Sequence, residues 1–420
     1  MKNLIFAVVA IAGLGFLFAL PEASQLQTIE KFGKELFFDR SLSSPSNQSC
    51  AVCHENRSGF SGPVPGINKD GAVYPGAIKK RFGNRRPPTA SYAGNSPPLE
   101  YVYDEEEGEW LFEGGMFWDG RATGWITGDP LADQAMGPFL NPVEQNLPSE
   151  EEACMIVARS KYAHLYEEVF GFPLDCWIYD EDDGHLVAYK NFAIAIAAFE
   201  RSVEVSPYNS KFDYVMWRGD GEVEFTEQEA WGWELFNGKG RCSACHPAPD
   251  FTDFTYDNLG VPRNPQNPFY DMDKVYVDGW PINPEGAGWV DPGLGGFLET
   301  VPDEWFEEQE LDKDEIVAEN FGKHKVPTLR NVDKRPGPGF AKSFMHNGSL
   351  KSLEEVVEFY NKRDAMIYAG LIVPEVWENM NEDELGDLGL TDEEEAALVA
   401  FMKTLSDGYI PPKSFKKGRK

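Results

Sequence analysis

The chain has 420 residues, 38 Lys+Arg against 70 Asp+Glu, and a formal net charge of −32. Such a surface repels a phosphate backbone, which excludes a nucleic-acid binder. Six Cys exclude a disulfide-stapled scaffold, 13 % aromatics exclude disorder throughout, and the length allows two or three domains of roughly 150 residues each.

In chain order, Lys2 precedes an uncharged apolar run over residues 4–20. This reads as an export segment over residues 1–23, either a cleaved signal peptide or an N-terminal anchor. Leu17 and Pro21 make poor cleavage determinants for Ala19 and Ala23, so both forms stay open. Phe32-Gly33-Lys34-Glu35-Leu36-Phe37 reads as a helix and is followed by Cys50-Ala51-Val52-Cys53-His54. Residues 62–76 are a Gly- and Pro-rich loop. A helical stretch is expected over 154–170, with His164 structural, and an acidic loop leaves His185 solvated. Residues 186–203 are apolar most of the way round, as in a buried helix.

Residues 218–222 read as a linker. Trp231-Gly232-Trp233-Glu234-Leu235-Phe236 then repeats the earlier helix, and Cys242-Ser243-Ala244-Cys245-His246 repeats the earlier cysteine motif, 192 residues on. A long loop fills 262–296. Residues 352–361 form a helix carrying Tyr360. Thr391 caps a last helix, over 391–405, with an acidic first turn. The repeat places one domain at 25–215 and a second at 222–412, with a basic tail at 413–420. The expected class is mainly α, with long loops ordered around a large rigid group.

Cys-x-x-Cys-His is the pattern of covalent c-type haem attachment. Two thiols one helical turn apart bond the two vinyl groups, and the adjacent His lies under the iron. Cys50, Cys53 and His54 would hold one haem, and Cys242, Cys245 and His246 another, making two cytochrome c-like domains. Zinc needs four ligands, which two distant Cys2His sets supply awkwardly. A redox dithiol has no need of a following His. Cys154 and Cys176 are either a disulfide, as export permits, or two buried thiols.

Two haems have four axial positions, of which His54 and His246 fill two. Beyond His54, no His or Met lies between Cys53 and Arg86, so the first iron lacks a local sixth ligand. An open iron can activate a small oxidant, whereas a saturated one mainly passes electrons. One open iron beside a closed one points to an enzyme.

Further motifs carry a resemblance. They are Phe117-Trp118-Asp119-Gly120-Arg121-Ala122; Asp133-Gln134-Ala135 with Gly137-Pro138, leading to Asn141-Pro142-Val143-Glu144; and residues 326–332, reading VPTLRNV. Phe344-Met345-His346-Asn347-Gly348 then runs into residues 353–360. With the two haem motifs, the exported part resembles the bacterial dihaem cytochrome c peroxidase/MauG family.

The resemblance implies roles. The haem on His54 would react with peroxide. Glu144 would be the acid/base above that iron, with Gln134 and Pro138 lining the same pocket. Trp118 would relay electrons between the haems. His346 would sit near the second haem, ligated by His246. The other ligand of that haem, Met in conventional peroxidases and Tyr in MauG, stands fourteen residues after His346, which here is Tyr360. Met345 and Met366 are rivals for that place. A phenolate favours Fe(III) and higher states, so Tyr360 tilts the chemistry toward storing oxidising equivalents. Relative to the family pattern, six extra residues lie between Trp118 and Gln134, in the region of 123–129. The family also holds one Ca2+ between the haems, through an Asn in the loop before 117–122 and carbonyls before His346. Here Arg86 stands at the Asn position, with Asn84 as a substitute.

Three readings follow. The first is a periplasmic peroxidase that reduces hydrogen peroxide with electrons from a small cytochrome c or another redox protein. The second is a MauG-like oxidase acting on residues of a partner protein. The third is a non-enzymatic dihaem electron carrier, which needs both irons six-coordinate. Acidic runs at 104–109, 150–152, 180–183, 303–315 and 382–395 either solvate the surface or steer a basic partner.

Overall fold

The computed structural model describes residues 23–105, 108–218 and 223–412. Residues 1–22, 219–222 and 413–420, which hold nearly all of the export segment, most of the linker and the basic tail, lie outside them.

The two copies of the repeat form the same kind of helix crossing. Helix Ala23–Phe38 packs on helix Val187–Arg201, and helix Glu227–Phe236 packs on helix Asp392–Lys403. The repeated glycine is the crossing point. A Cβ on Gly33 would lie 1.8 Å from the Ala195 carbonyl oxygen, and one on Gly232 would lie 2.0 Å from that of Ala397. Only hydrogen fits there, so the backbones meet directly. Around the first crossing Phe32 packs edge-on against Tyr166 and Phe192. Around the second, Trp233 and Phe236 pack on Phe401. Each buried ring contributes roughly 1.5–3 kcal/mol. Two large apolar cores result, one drawn from residues 32–205 and one from 212–405.

Capping sets the helix starts. Thr226 with Glu229, and Thr391 with Glu394, form reciprocal capping boxes. The helix expected at 186–203 spans Val187–Arg201, and the one expected to end at 361 runs on through Leu353–Tyr368.

One expected helix is in fact two. The stretch 154–170 is interrupted between Glu150–Ala158 and His164–Phe170. Arg159 caps the first helix, and Tyr162 turns in to hydrogen-bond the Asp39 carboxylate. Cys154 and Cys176 are joined as a disulfide.

The chain is otherwise mainly helical and loop-rich. Its described strands form three two-stranded antiparallel pairs. The longest pairs Glu100–Asp104 with Glu109–Glu113 and lays Phe112 on a third apolar cluster with Leu294, Leu298 and Phe306. Among the described residues no helix is long and apolar enough to cross a membrane.

Candidate functional site

Cys50–Cys53 and Cys242–Cys245 each form a single helical turn, so both thiols of a pair lie on one side. The following His closes that turn, with its N–H donating to the first Cys carbonyl at 2.9 Å in both copies. The His54 Nδ1 donates to the Phe60 carbonyl at 3.0 Å, and the His246 Nδ1 to the Phe251 carbonyl at 2.9 Å. This bond leaves the lone pair on Nε2 and fixes the ring plane. Burial holds His54 below its ordinary value and His246 down at about 4, so both rings are neutral at pH 7. None of the four thiols is in a disulfide. Burial pushes Cys53 and Cys242 up to about 12, and raises Cys50 as well.

Each motif opens on its own cavity. The first, about 1310 Å³ with its mouth included, is walled by His54, Tyr74, Phe117, Gln134, Pro138 and Glu144. The second, about 1410 Å³, is walled by His246, Met345, His346, Val356 and Tyr360. Arg86, Pro88, Thr89 and Trp118 line both cavities and form the partition between them.

In the first wall, helix Pro130–Leu140 starts on an Asp129 cap and carries Gln134 and Pro138. Pro138 has no N–H, so the Gln134 carbonyl lacks its helical partner. The helix stops two residues later. Glu144 follows in a turn closed by its N–H to the Asn141 carbonyl at 3.0 Å. The Glu144 carbonyl accepts from the Ala77 N–H at 2.6 Å, and Gly76 presses so close that a Cβ would lie 2.3 Å from the Val143 carbonyl oxygen. Two chain segments therefore fix the backbone of Glu144. Burial raises its pKa, while Arg121 and Asn141 pull it down. The Arg121 guanidinium is held 3.8 Å over the Phe117 ring and pairs with Asp119 at 2.7 Å.

Trp118 is buried. Its indole N–H donates to the Arg86 carbonyl at 3.0 Å, and its carbonyl accepts from the Lys325 N–H at 2.9 Å. Its ring meets His346 edge-on at 6.5 Å. Tyr360 and Met345 both line the second cavity, and Met366 is not among its walls. In the first cavity the further side chains of a haem-ligating kind, apart from carboxylates, are Met116 and Tyr74. Met116 packs in the apolar core. The Tyr74 hydroxyl is engaged by the Val64 N–H at 2.7 Å and by Asn68 at 3.0 Å.

Several residues at the site carried no role in the sequence. His324 stacks on His346 at 3.7 Å, and its Nε2 lies 3.3 Å from Asp291. Arg85 clamps Asp291 through two bonds and Asp119 through a third. The position of His324, two residues before the 326–332 motif, was the one available signal. Glu200 lines the first cavity, where burial pushes its pKa up to about 8. Lys325 and Lys342 line the second, and burial brings both down to about 7. His185 is only partly exposed and bonds Glu150 at 2.6 Å.

Residues 27–222 match the family model described as di-haem cytochrome c peroxidase. The methylamine utilization protein MauG of Paracoccus denitrificans is 32 % identical over 400 residues, covering 90 % of this chain and 89 % of that protein. The chain belongs to the di-haem cytochrome c peroxidase/MauG family. The cytochrome-c peroxidase IdrP2 of Denitromonas iodatirespirans is 26 % identical, over 95 % of this chain and 87 % of that protein. The crystal structure of the diheme peroxidase BthA from Burkholderia thailandensis superposes with a TM-score of 0.68 at 26 % identity, covering 91 % of this chain and 86 % of that one.

Membership in this family implies two haem groups and a haem peroxidase type of oxidoreductase. The residues present fit two haems. Each cavity has one thiol pair at its wall, followed in the chain by a neutral imidazole that a backbone carbonyl orients.

Proposed function

We propose that this chain is an exported, periplasmic dihaem c-type peroxidase that reduces hydrogen peroxide to water. In this reading residues 25–215 and 222–412 are two cytochrome c-like domains. Each covalently holds one haem, through Cys50 and Cys53 above His54, and through Cys242 and Cys245 above His246. Residues 1–23 direct export and then leave or stay as an anchor. The observation that carries the reading is the difference between two otherwise matched cavities. Among the described residues, the first has Glu144, with His54 as its one histidine and Met116 packed in the apolar core, and the second has Tyr360.

Haem held by Cys50, Cys53 and His54 would supply the peroxide-reacting iron of the first cavity, and haem held by Cys242, Cys245 and His246 would supply a one-electron store in the second. The chain's own groups handle protons and geometry. Reducing one H2O2 to two waters consumes two protons and two electrons. Glu144 takes a proton from the nearer peroxide oxygen and delivers it to the leaving oxygen, so its carboxylate must start ionised. Gln134 and Pro138 restrict the space beside it. Trp118 bridges the cavities and carries electrons from the second to the first.

A MauG-like oxidation of a partner protein is the second reading, and Tyr360 favours it. A hard anionic ligand lowers the potential of the second haem and suits it to hold an oxidising equivalent. The acidic surface then serves to draw a basic protein, such as a small cytochrome c, to the enzyme. Steady-state peroxide turnover with a reduced small cytochrome c separates the two. Rapid turnover supports the peroxidase. Peroxide reactivity with no oxidation of the cytochrome overturns it in favour of the second reading.

A further inference from the structure

The family expectation of a calcium ion between the haems meets a partition already carrying protein cations. Calcium takes six to eight oxygen ligands. Arg86 stands where the Asn ligand is expected, and carbonyls before and beside His346 are already engaged. The Ala341 carbonyl accepts from the Asn68 amide at 2.9 Å. The Met345 carbonyl accepts from the Arg86 Nε at 2.7 Å, and the His346 carbonyl accepts from the Arg86 backbone N–H at 3.0 Å. Asn84, the possible substitute, gives its own carbonyl to the Asn267 amide at 2.7 Å.

The local charge is also wrong for a dication. The Arg86 guanidinium lies 5.5 Å from the Trp118 ring centre, between the cavities, and Nη1 reaches Ser61 Oγ at 3.3 Å. No carboxylate pairs with it among the described residues. Burial lowers its pKa to about 10, so it stays charged at neutral pH. Lys342 lines the second cavity with Arg86, its amine held by the carbonyls of Ser58, Asn331 and Lys334 at 3.0–3.3 Å and brought down to about 7 by burial and by the charge of Arg86. A metal dication there would meet the charge of Arg86 and of the protonated fraction of Lys342.

We propose that Arg86 is itself the interhaem cation of this chain, taking the place of calcium, with the carboxylates of the two haems as its counter-ions. This rests on the two-haem reading above. A half-buried guanidinium without an acidic partner favours an anion beside it. Arg86 borders both cavities, and none of the described residues accepts a hydrogen from its Nη2. A planar fork of donors suits carboxylates. One fixed charge then acts on both irons at once, favouring their reduced states.

The test uses the purified holoenzyme. Pyridine haemochrome assay on the same sample counts the haems, so failure of the two-haem reading is seen separately. Elemental analysis should find far less than one calcium per chain, and a chelator should leave the ferric spectrum unchanged. Arg86→Gln should lower both midpoint potentials by roughly tenfold in the reduction equilibrium, about 59 mV for a one-electron couple. Arg86→Lys should restore them. Stoichiometric calcium whose removal alters the spin states of the wild-type protein would overturn the proposal, whether or not the variants fold. So would an Arg86→Gln protein with both potentials unmoved.

Discussion

The indole N–H of Trp118 donates to the backbone carbonyl of Arg86 at 3.0 Å, and both side chains border both cavities. The bond pins an aromatic ring in the partition, where a relay would have to stand. Trp118→Phe keeps a ring but loses the bond and the more readily oxidised indole. Turnover with a reduced cytochrome should fall about tenfold or more, ~1.4 kcal/mol of barrier. The spectra of both haems and the first reaction with peroxide should change little. Unchanged turnover would remove Trp118 from the path.

Glu144 has two segments holding its backbone and a cavity in front of its carboxylate. Glu144→Gln keeps the shape and loses the base. The bimolecular rate with peroxide should drop by ~10²–10⁴. The pH profile adds a sign. Burial raises this carboxylate above the ordinary glutamate value of 4.5, and only the ionised form takes a proton. In the wild type the rate should rise with pH, with its midpoint above 4.5, and that limb should vanish in Glu144→Gln. Stopped-flow absorbance at the haem bands measures both. A variant with the wild-type rate and profile would exclude Glu144 as the base.

The two crossing glycines predict paired instabilities. Gly33→Ala and Gly232→Ala each force a methyl group into a backbone carbonyl. Each should cost about 1–3 kcal/mol, because the helix pair must separate. Thermal unfolding should show a fall of roughly 2–4 °C for each kcal/mol. Ala at Gly66, where nothing lies within 4 Å of an added Cβ, is the control and should leave the transition in place.

Much of this was legible because the signals are local. The two haem motifs, the capping Thr391 and the aromatic-Gly repeat lie in short runs whose meaning depends on neighbours in sequence. Other features depend on distant contacts. The stack of His324 on His346 needs Asp291, which arrives from the 262–296 loop. Glu200 lies on a helix that reads as core, and only the cavity beside it makes its carboxyl unusual. The break between residues 158 and 164 has no Pro or Gly to announce it. It comes with Tyr162 reaching Asp39, a contact across 123 positions. The hairpin at 100–113 was hidden in an acidic run, and it folds by packing Phe112 on helices nearly two hundred residues later.

The net charge of −32 predicts a salt effect. If the acidic surface steers a basic cytochrome, turnover should fall steeply as ionic strength rises and the Debye length shrinks from ~30 Å at 0.01 M to ~8 Å at 0.15 M. Peroxide, being neutral, should react with the isolated enzyme at a rate independent of salt. Equal behaviour of both reactions would assign the acidic runs to solubility alone.

The account depends most on the difference between the two irons, and electron paramagnetic resonance of the ferric protein tests it directly. One high-spin and one low-spin signal are expected, and Tyr360→Phe should alter the low-spin signal while leaving the high-spin one. Two low-spin haems in every redox state, with Met116 or another protein group closing the first site, would contradict it.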